Sequence, residues 1–352
     1  MAPVPVPDLG YKPTLGESIR RAARLYGERD FIVLPDGRIT FAEAERASAA
    51  LARRMLASGI GKGTRVGLFY TYSIEWVLAW LAASRIGALV MPFSTIYAPG
   101  ELRTVLRLGD TSTLILGPTM LGRDVPAFLE EAVPELRTAS APELFLAGLP
   151  YLRSIWVTGD TDRPWARQVP VDRPDPGGDS GSEPGRAPAG GPVSEMVSDE
   201  LLAAVEAEVV PADLAAVVYT SGSSALPKGV VHTHGSIVRT TASFAAMRGG
   251  DISAVLCGFP FFWIGGFLVL GGALDGGFSV CCLERFEPEA ALDLVEKERC
   301  GLVAAWPSLI QSCERIPLFR AGTWPTARCS CPVRPTWRSS TPRCPVSPDT
   351  GA

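Results

Sequence analysis

The first third of the chain switches repeatedly between a helical and an extended apolar period. Leu15, Ile19, Ala22, Ala23 and Tyr26 recur at helical spacing behind Thr14-x-x-Glu17, which predicts a capping box and a helix. Phe31 to Leu34 and Arg38 to Thr40 flank the turn sequence Pro35-Asp36-Gly37, so a hairpin follows. Thr40-x-x-Glu43 predicts a second capping box. The helix behind it carries Phe41, Ala44, Ala47, Leu51 and Met55 on one face, with Gly59 just past its end. Short apolar runs at 65–70, 88–92 and 112–116 then alternate with helical stretches at 73–85 and 99–108. That alternation predicts βαβ units on a mostly parallel sheet. Trp76, Leu78, Trp80 and Leu81 read as core and carry no chemistry.

The second half repeats the pattern after an interruption. Residues 160–192 are rich in Pro, Gly, Asp and Arg and poor in apolar side chains, and are expected to form a mobile surface insertion. Ser198-Asp199-Glu200 caps a short helix over 201–208. Ala215 to Tyr219 is an uncharged run of the length of a strand buried on both faces. Residues 235–247 are helical. A strand at 252–257, a Gly-rich buried helix at about 262–274, a strand at 278–283, a helix from Arg285-Phe286-Glu287-Pro288 through Arg299, a strand at 302–305 and a helix start at Trp306-Pro307-Ser308 follow. Ile252 to Leu274 has no charge and is long enough to span a bilayer, yet Pro260 and five glycines break it, and a strand, turn and buried helix account for the same residues. No membrane span is expected. Residues 321–352 contain no Leu, Ile, Phe, Lys or Glu and no periodicity, and read either as an unstructured tail or as an out-of-frame translation.

Composition narrows the function classes. The 352 residues are 47% hydrophobic and 20% charged, a globular balance, and the net charge of −4 gives no electrostatic footprint for nucleic acid. The proline-spaced start MAPVPVPDLG has the features of neither a signal nor a transit peptide, which makes a cytoplasmic location the default expectation. All eight cysteines lie beyond residue 250 without a CxxC pair, which favours buried free thiols over zinc or a disulfide framework. His232 and His234, two apart and able to face one side of a strand, lack further metal ligands within sequence reach.

The chemistry concentrates after the strand at 215–219. Thr220, Ser221, Gly222, Ser223 and Ser224 supply hydroxyls on a permissive backbone, and Pro227-Lys228-Gly229 adds one cation. Successive backbone N–H groups in such a loop make a concavity for anions, to which hydroxyls add donors and the lysine a point charge. The bland alternative is an ordinary Ser/Gly surface loop. A Walker A loop is excluded, because its second glycine and its magnesium-binding hydroxyl have no counterpart here.

This loop resembles the signature T-S-G-[ST]-T-G-x-P-K-G of the adenylate-forming (AMP-binding) superfamily, acyl-CoA synthetases among them. It departs at Ser224, which keeps a hydroxyl, and at Ala225, which replaces a glycine. The stretch from Gly37 to Leu102 resembles the same superfamily in collinear order, and Phe259-Pro260-Phe261-Phe262-Trp263-Ile264-Gly265-Gly266-Phe267 resembles its next signature, with Trp263 at the usual histidine position.

The resemblance implies the N-terminal portion of an adenylate-forming fold, α/β, truncated, spanning residues 1–320. It implies an ATP-dependent, AMP-forming ligase that makes an acyl-adenylate from a small-molecule carboxylic acid and passes it to a thiol, with ATP, Mg²⁺ and coenzyme A taking part. Thr220, Ser221, Gly222, Ser223, Ser224 and Lys228 are then the phosphate-binding residues, with Lys228 also catalytic. Trp263, Gly265 and Gly266 border the acyl or aryl pocket. The superfamily's later motifs have no counterpart beyond about Arg315, so the chain as written is expected to form no thioester. The alternative is a non-catalytic fragment or pseudoenzyme that binds nucleotide or a partner. Which acid, and the oligomeric state, are not legible.

Overall fold

The computed structural model describes residues 8–170, 197–220, 226–247 and 252–316. The chain opens with helix α1 (Leu15–Tyr26), the hairpin β1 (Asp30–Leu34) and β2 (Gly37–Thr40), and helix α2 (Phe41–Ala57). Thr40 closes both halves of its capping box with Glu43. At Thr14 only half of the expected box forms. Its hydroxyl accepts from Glu17 N, but the Glu17 carboxylate turns away to Arg20 and Arg24, because a charge-assisted partner outcompetes a neutral backbone N–H.

Three βα units follow. They comprise β3 (Arg65–Phe69) with α3 (Ile74–Arg85), β4 (Leu89–Pro92) with α4 (Pro99–Leu108), and β5 (Thr113–Leu116) with a two-stranded ribbon, β6 (Thr119–Met120) and β7 (Arg123–Asp124), leading to α5 (Val125–Ala132). Strand β8 (Ser154–Thr158) comes next, preceded by a 3-10 turn at Pro134–Thr138. Strand β9 (Ala166–Val169) pairs parallel to it. The expected insertion at 160–192 therefore begins with an edge strand. Its ladder to β8 supplies the order that its polar composition does not, and residues 171–192 lie outside the described residues, as does the tail at 321–352.

The second half supplies α6 (Asp199–Glu208), β10 (Leu214–Thr220), β11 (Lys228–Thr233), α7 (His234–Met247), β12 (Ala254–Cys257), α8 (Ile264–Gly276), β13 (Ser279–Cys281), α9 (Pro288–Lys297), β14 (Leu302–Ala304) and α10 (Pro307–Glu314). Strands β11-β10-β4-β3-β5-β8-β9 form one sheet, parallel except for β11. Strands β14-β12-β13-β1-β2 form another, parallel except for β2.

Three cores define the layers. The largest holds α1, α2, α3, α7 and α8 between the two sheets. A second packs α4 and α5 on the outer face of the seven-stranded sheet, and a third packs α9 and α10 on the outer face of the five-stranded one. The interior strands of both sheets are thus buried on both faces, which is why they read as apolar runs. Trp76 and Trp80 of α3 meet Phe267 of α8 edge-on at 5.7 and 5.4 Å in the central layer. Among the described residues no helix is long and apolar enough to cross a membrane.

Candidate nucleotide-binding site

In the seven-stranded sheet β4 lies on one side of β3 and β5 on the other, so strand order reverses there. Ligands of open α/β sheets gather beyond the carboxyl ends of strands at such a reversal. The two sheets present these ends to each other. Glu284, just past β13, accepts from the Thr71 hydroxyl past β3 (3.2 Å) and from Leu121 N in the β6–β7 turn (2.9 Å). Tyr72 and Phe261 meet edge-on at 5.0 Å.

Strand β10 delivers Thr220 to this side, and β11 returns antiparallel with Thr220 paired to Lys228. The Thr220 hydroxyl donates to the Lys228 carbonyl at 3.4 Å. Both residues are exposed, and among the described residues no carboxylate pairs with the Lys228 ammonium. The structure therefore brings together the two ends of the expected phosphate loop. Ser221, Gly222, Ser223 and Ser224, with Ala225, lie outside the described residues. A hydroxyl and a solvent-facing cation opposed at a strand end suit an anion. Among the described residues no group of three or more His, Cys, Asp or Glu is arranged to hold a metal ion.

Beneath the hairpin, Tyr219 points to the outer face of the sheet. Its hydroxyl donates to Met91 Sδ at 3.9 Å and its ring lies 6.0 Å from Phe93. Burial pushes its ionisation up, with Asp110 adding to the shift and Arg65 opposing it. Tyr97, in the loop after β4, is pushed up to about 12, chiefly by burial and then by Tyr219 and Glu101. It lines an open cleft of about 760 Å³ with Thr95, Ile96, Arg123, Asp124 and Phe128. Thr95, Ile96 and Tyr97 lie in the loop after β4, whereas Arg123, Asp124 and Phe128 come from β7 and α5, a stretch where no motif marks the sequence.

The aromatic segment sits past the end of β12, on the other sheet. Trp263 is the N-cap residue of α8 and is half-buried, its ring 4.5 Å from that of Trp306, which also takes Phe259 edge-on at 5.5 Å. Trp306 is absent from the expected site residues, since only the tertiary fold brings the start of α10 against α8. Gly265 and Gly266 have a packing reason. A Cβ at Gly266 would lie 2.5 Å from the Pro260 carbonyl, and one at Gly265 2.9 Å from the Phe259 ring. The glycines let the helix start close against the aromatic turn.

The two histidines do not share a strand face. His232 is in β11, whereas His234 opens α7 and is fully buried, its Nδ1 accepting from Leu15 N at 3.3 Å. Burial drops its ionisation to about 4.

The profile of the AMP-binding enzyme family matches residues 19–330, and the chain belongs to that family. Among curated relatives it is 26% identical over 301 residues to the putative acyl-CoA synthetase YngI of Bacillus subtilis, covering 84% of this chain and 51% of that one. It is 23% identical to the long-chain-fatty-acid–CoA ligase FadD13 of Mycobacterium tuberculosis, covering 87% and 52%. The chain spans about half the length of the curated relatives it matches. In fold it is similar to the N-terminal domain of FACL13 from Mycobacterium tuberculosis (TM-score 0.66, 22% identity, 90% of this chain and 69% of that one). It is likewise similar to a long-chain-fatty-acid–CoA ligase, FadD1, from Archaeoglobus fulgidus (TM-score 0.67, 19% identity, 95% and 61%). The architecture is that of the N-terminal domain of adenylate-forming enzymes.

Proposed function

We propose that this chain carries the nucleotide-binding part of an ATP-dependent, AMP-forming acid–thiol ligase. The observation that carries the reading is the pairing of Thr220 with Lys228 at the mouth of a parallel sheet, inside a family match that spans most of the chain. Lys228 places a compact positive charge where the triphosphate would lie, and Thr220 adds a hydroxyl. Their role is to hold the phosphates and to offset the negative charge that grows on the departing pyrophosphate when a carboxylate attacks the α-phosphorus. Mg²⁺, when carried in with ATP, spreads phosphate charge. Ser221, Gly222, Ser223 and Ser224 complete the cradle, and Trp263 with Gly265 and Gly266 walls the side on which the acid, of acyl or aryl type, is received. Coenzyme A is the acceptor thiol by family likeness.

A second reading rests on the same exposed Thr220–Lys228 pair, which can hold a phosphate chain without turnover. On that reading the chain binds nucleotide, or a partner, and forms no thioester. The two readings share the loop and differ in turnover. Purified chain is expected to melt higher in millimolar ATP with Mg²⁺, and Lys228→Ala to lose that shift. A shift that survives in Lys228→Ala removes the lysine from the site. Acyl-CoA formed from a panel of carboxylic acids, ATP and coenzyme A decides for the complete ligase, and nucleotide binding without product decides for the second reading.

A further inference from the structure

Two buried cysteines meet at the end of the five-stranded sheet, clear of the nucleotide loop. Strands β12 and β13 run parallel in the register Ala254↔Ser279, Val255↔Val280 and Leu256↔Cys281, so the next step sets Cys257 beside Cys282. Both of these side chains belong to the core between the sheets. Cys281, one residue earlier, projects to the opposite face, into the core under α9 and α10 that also holds Cys300. Neighbouring strands lie about 4.8 Å apart, inside the range of roughly 4.4–6.8 Å between Cα atoms that a disulfide spans. Adjacent Cys281 and Cys282 point to opposite faces of the sheet and so cannot join. Among the described cysteines this leaves Cys257 as the partner of Cys282, because Cys281, Cys300 and Cys313 belong to the core on the other face of the sheet.

We propose that Cys257 and Cys282 form an oxidisable dithiol that a peroxide converts to a disulfide. The sulfur of one cysteine attacks a peroxide oxygen, the O–O bond breaks, and a sulfenic acid and one water result. The partner sulfur then attacks the sulfenic sulfur, the S–S bond forms, the S–O bond breaks, and the oxygen leaves as a second water with the remaining protons. The dithiol gives up two electrons and the peroxide accepts them. The reaction is slow in the closed structure. Burial holds the Cys282 thiol protonated. Oxidation therefore follows local opening of the sheet end and is selective for small oxidants. It also reaches the aromatic turn, because the Cys257 thiol donates to the Phe259 carbonyl at 3.5 Å just before Trp263, so a bond to Cys282 fixes the end of β12 beneath that turn.

The test uses the full reduced chain, treated with hydrogen peroxide, quenched with catalase, then denatured in an alkylating reagent and mapped by peptide mass spectrometry. The expected product is a Cys257–Cys282 link, lighter by two hydrogens than the reduced pair. Cys282→Ser is expected to leave Cys257 alkylatable. Peroxide-treated chain with Cys257 and Cys282 both alkylated overturns the proposal, as does a link from either to Cys281, Cys300, Cys313, Cys329, Cys331 or Cys344. Recovery of both thiols after dithiothreitol is expected, and irreversible sulfinic acid in place of the link counts against it.

Discussion

Single residues in this chain are fixed either by what they must touch or by what they must not. Lys228 is of the first kind, exposed at a strand end opposite a hydroxyl, and its replacement is expected to cost ligand and not fold. Gly266 is of the second. Its missing Cβ makes room for the Pro260 carbonyl, which is backbone and cannot swing aside. Gly266→Ala is expected to destabilise the chain by about 1–3 kcal/mol, the usual cost of forcing an extra carbon into a packed site, readable as a lower urea midpoint. His234 is set by burial. Its neutral form accepts from Leu15 N, while Nε2 has no hydrogen-bond partner among the described residues. With its ionisation lowered from about 6.5 to about 4, the unfolded chain binds a proton that the folded chain refuses between those values. The stability this contributes is present above pH 6.5 and is lost as pH falls toward 4, on the order of 3 kcal/mol at the lower limit. His234→Asn keeps an acceptor for Leu15 N and does not titrate in that window. A urea series from pH 7 to pH 4 is expected to show a shallower loss in that variant.

Elements are joined by an ion network that no local sequence pattern announces. Arg85, at the end of α3 and 3% exposed, pairs with Glu206 of α6, 5% exposed, and with Glu45 of α2 at 2.8 Å, and it also donates to the Ser48 hydroxyl at 3.2 Å. Arg20 of α1 pairs with the same Glu206. Four helices are thus tied at one point in the central layer. Removing one partner leaves charge in the core without its counter-charge, which is where buried pairs are costly to break. Glu206→Ala is expected to lower stability by about 3–5 kcal/mol, whereas Arg24→Ala, on the exposed rim of the same network, is expected to lose less than about 1 kcal/mol. Parallel chemical denaturation curves for the two variants check the contrast.

The whole molecule depends on the layer between the sheets. Trp80 is fully buried and meets both Trp76 and Phe267, so it belongs to both halves of the chain at once. Trp80→Ala is expected to cost about 3–5 kcal/mol. Because one core is shared, the far-ultraviolet circular dichroism and tryptophan fluorescence transitions should stay coincident in the variant. Separated transitions would show that the two sheets fold independently.

How much of this was legible in the sequence follows from the range of the forces involved. Helix starts at Thr40, Ser73 and Ser198 were readable because a cap is made by residues two or three positions away. Strands such as β3 and β12 were readable because burial on both faces removes polar residues from the run. The stretch from 117 to 159 was not, since β6 and β7 are two residues each and α5 is short. Strand β9 exists only through its ladder to β8. The sequence by itself determined the family pattern, the alternation of strand and helix, and the two ends of the loop at Thr220 and Lys228, all features written within a few residues of one another. Only the tertiary structure decided that Thr220 and Lys228 face each other across a hairpin, that Trp306 packs against Trp263, that Glu206 neutralises Arg85, and that His234 is buried against Leu15. Each of those contacts joins separate elements, and its strength comes from desolvation, which no local stretch of sequence contains.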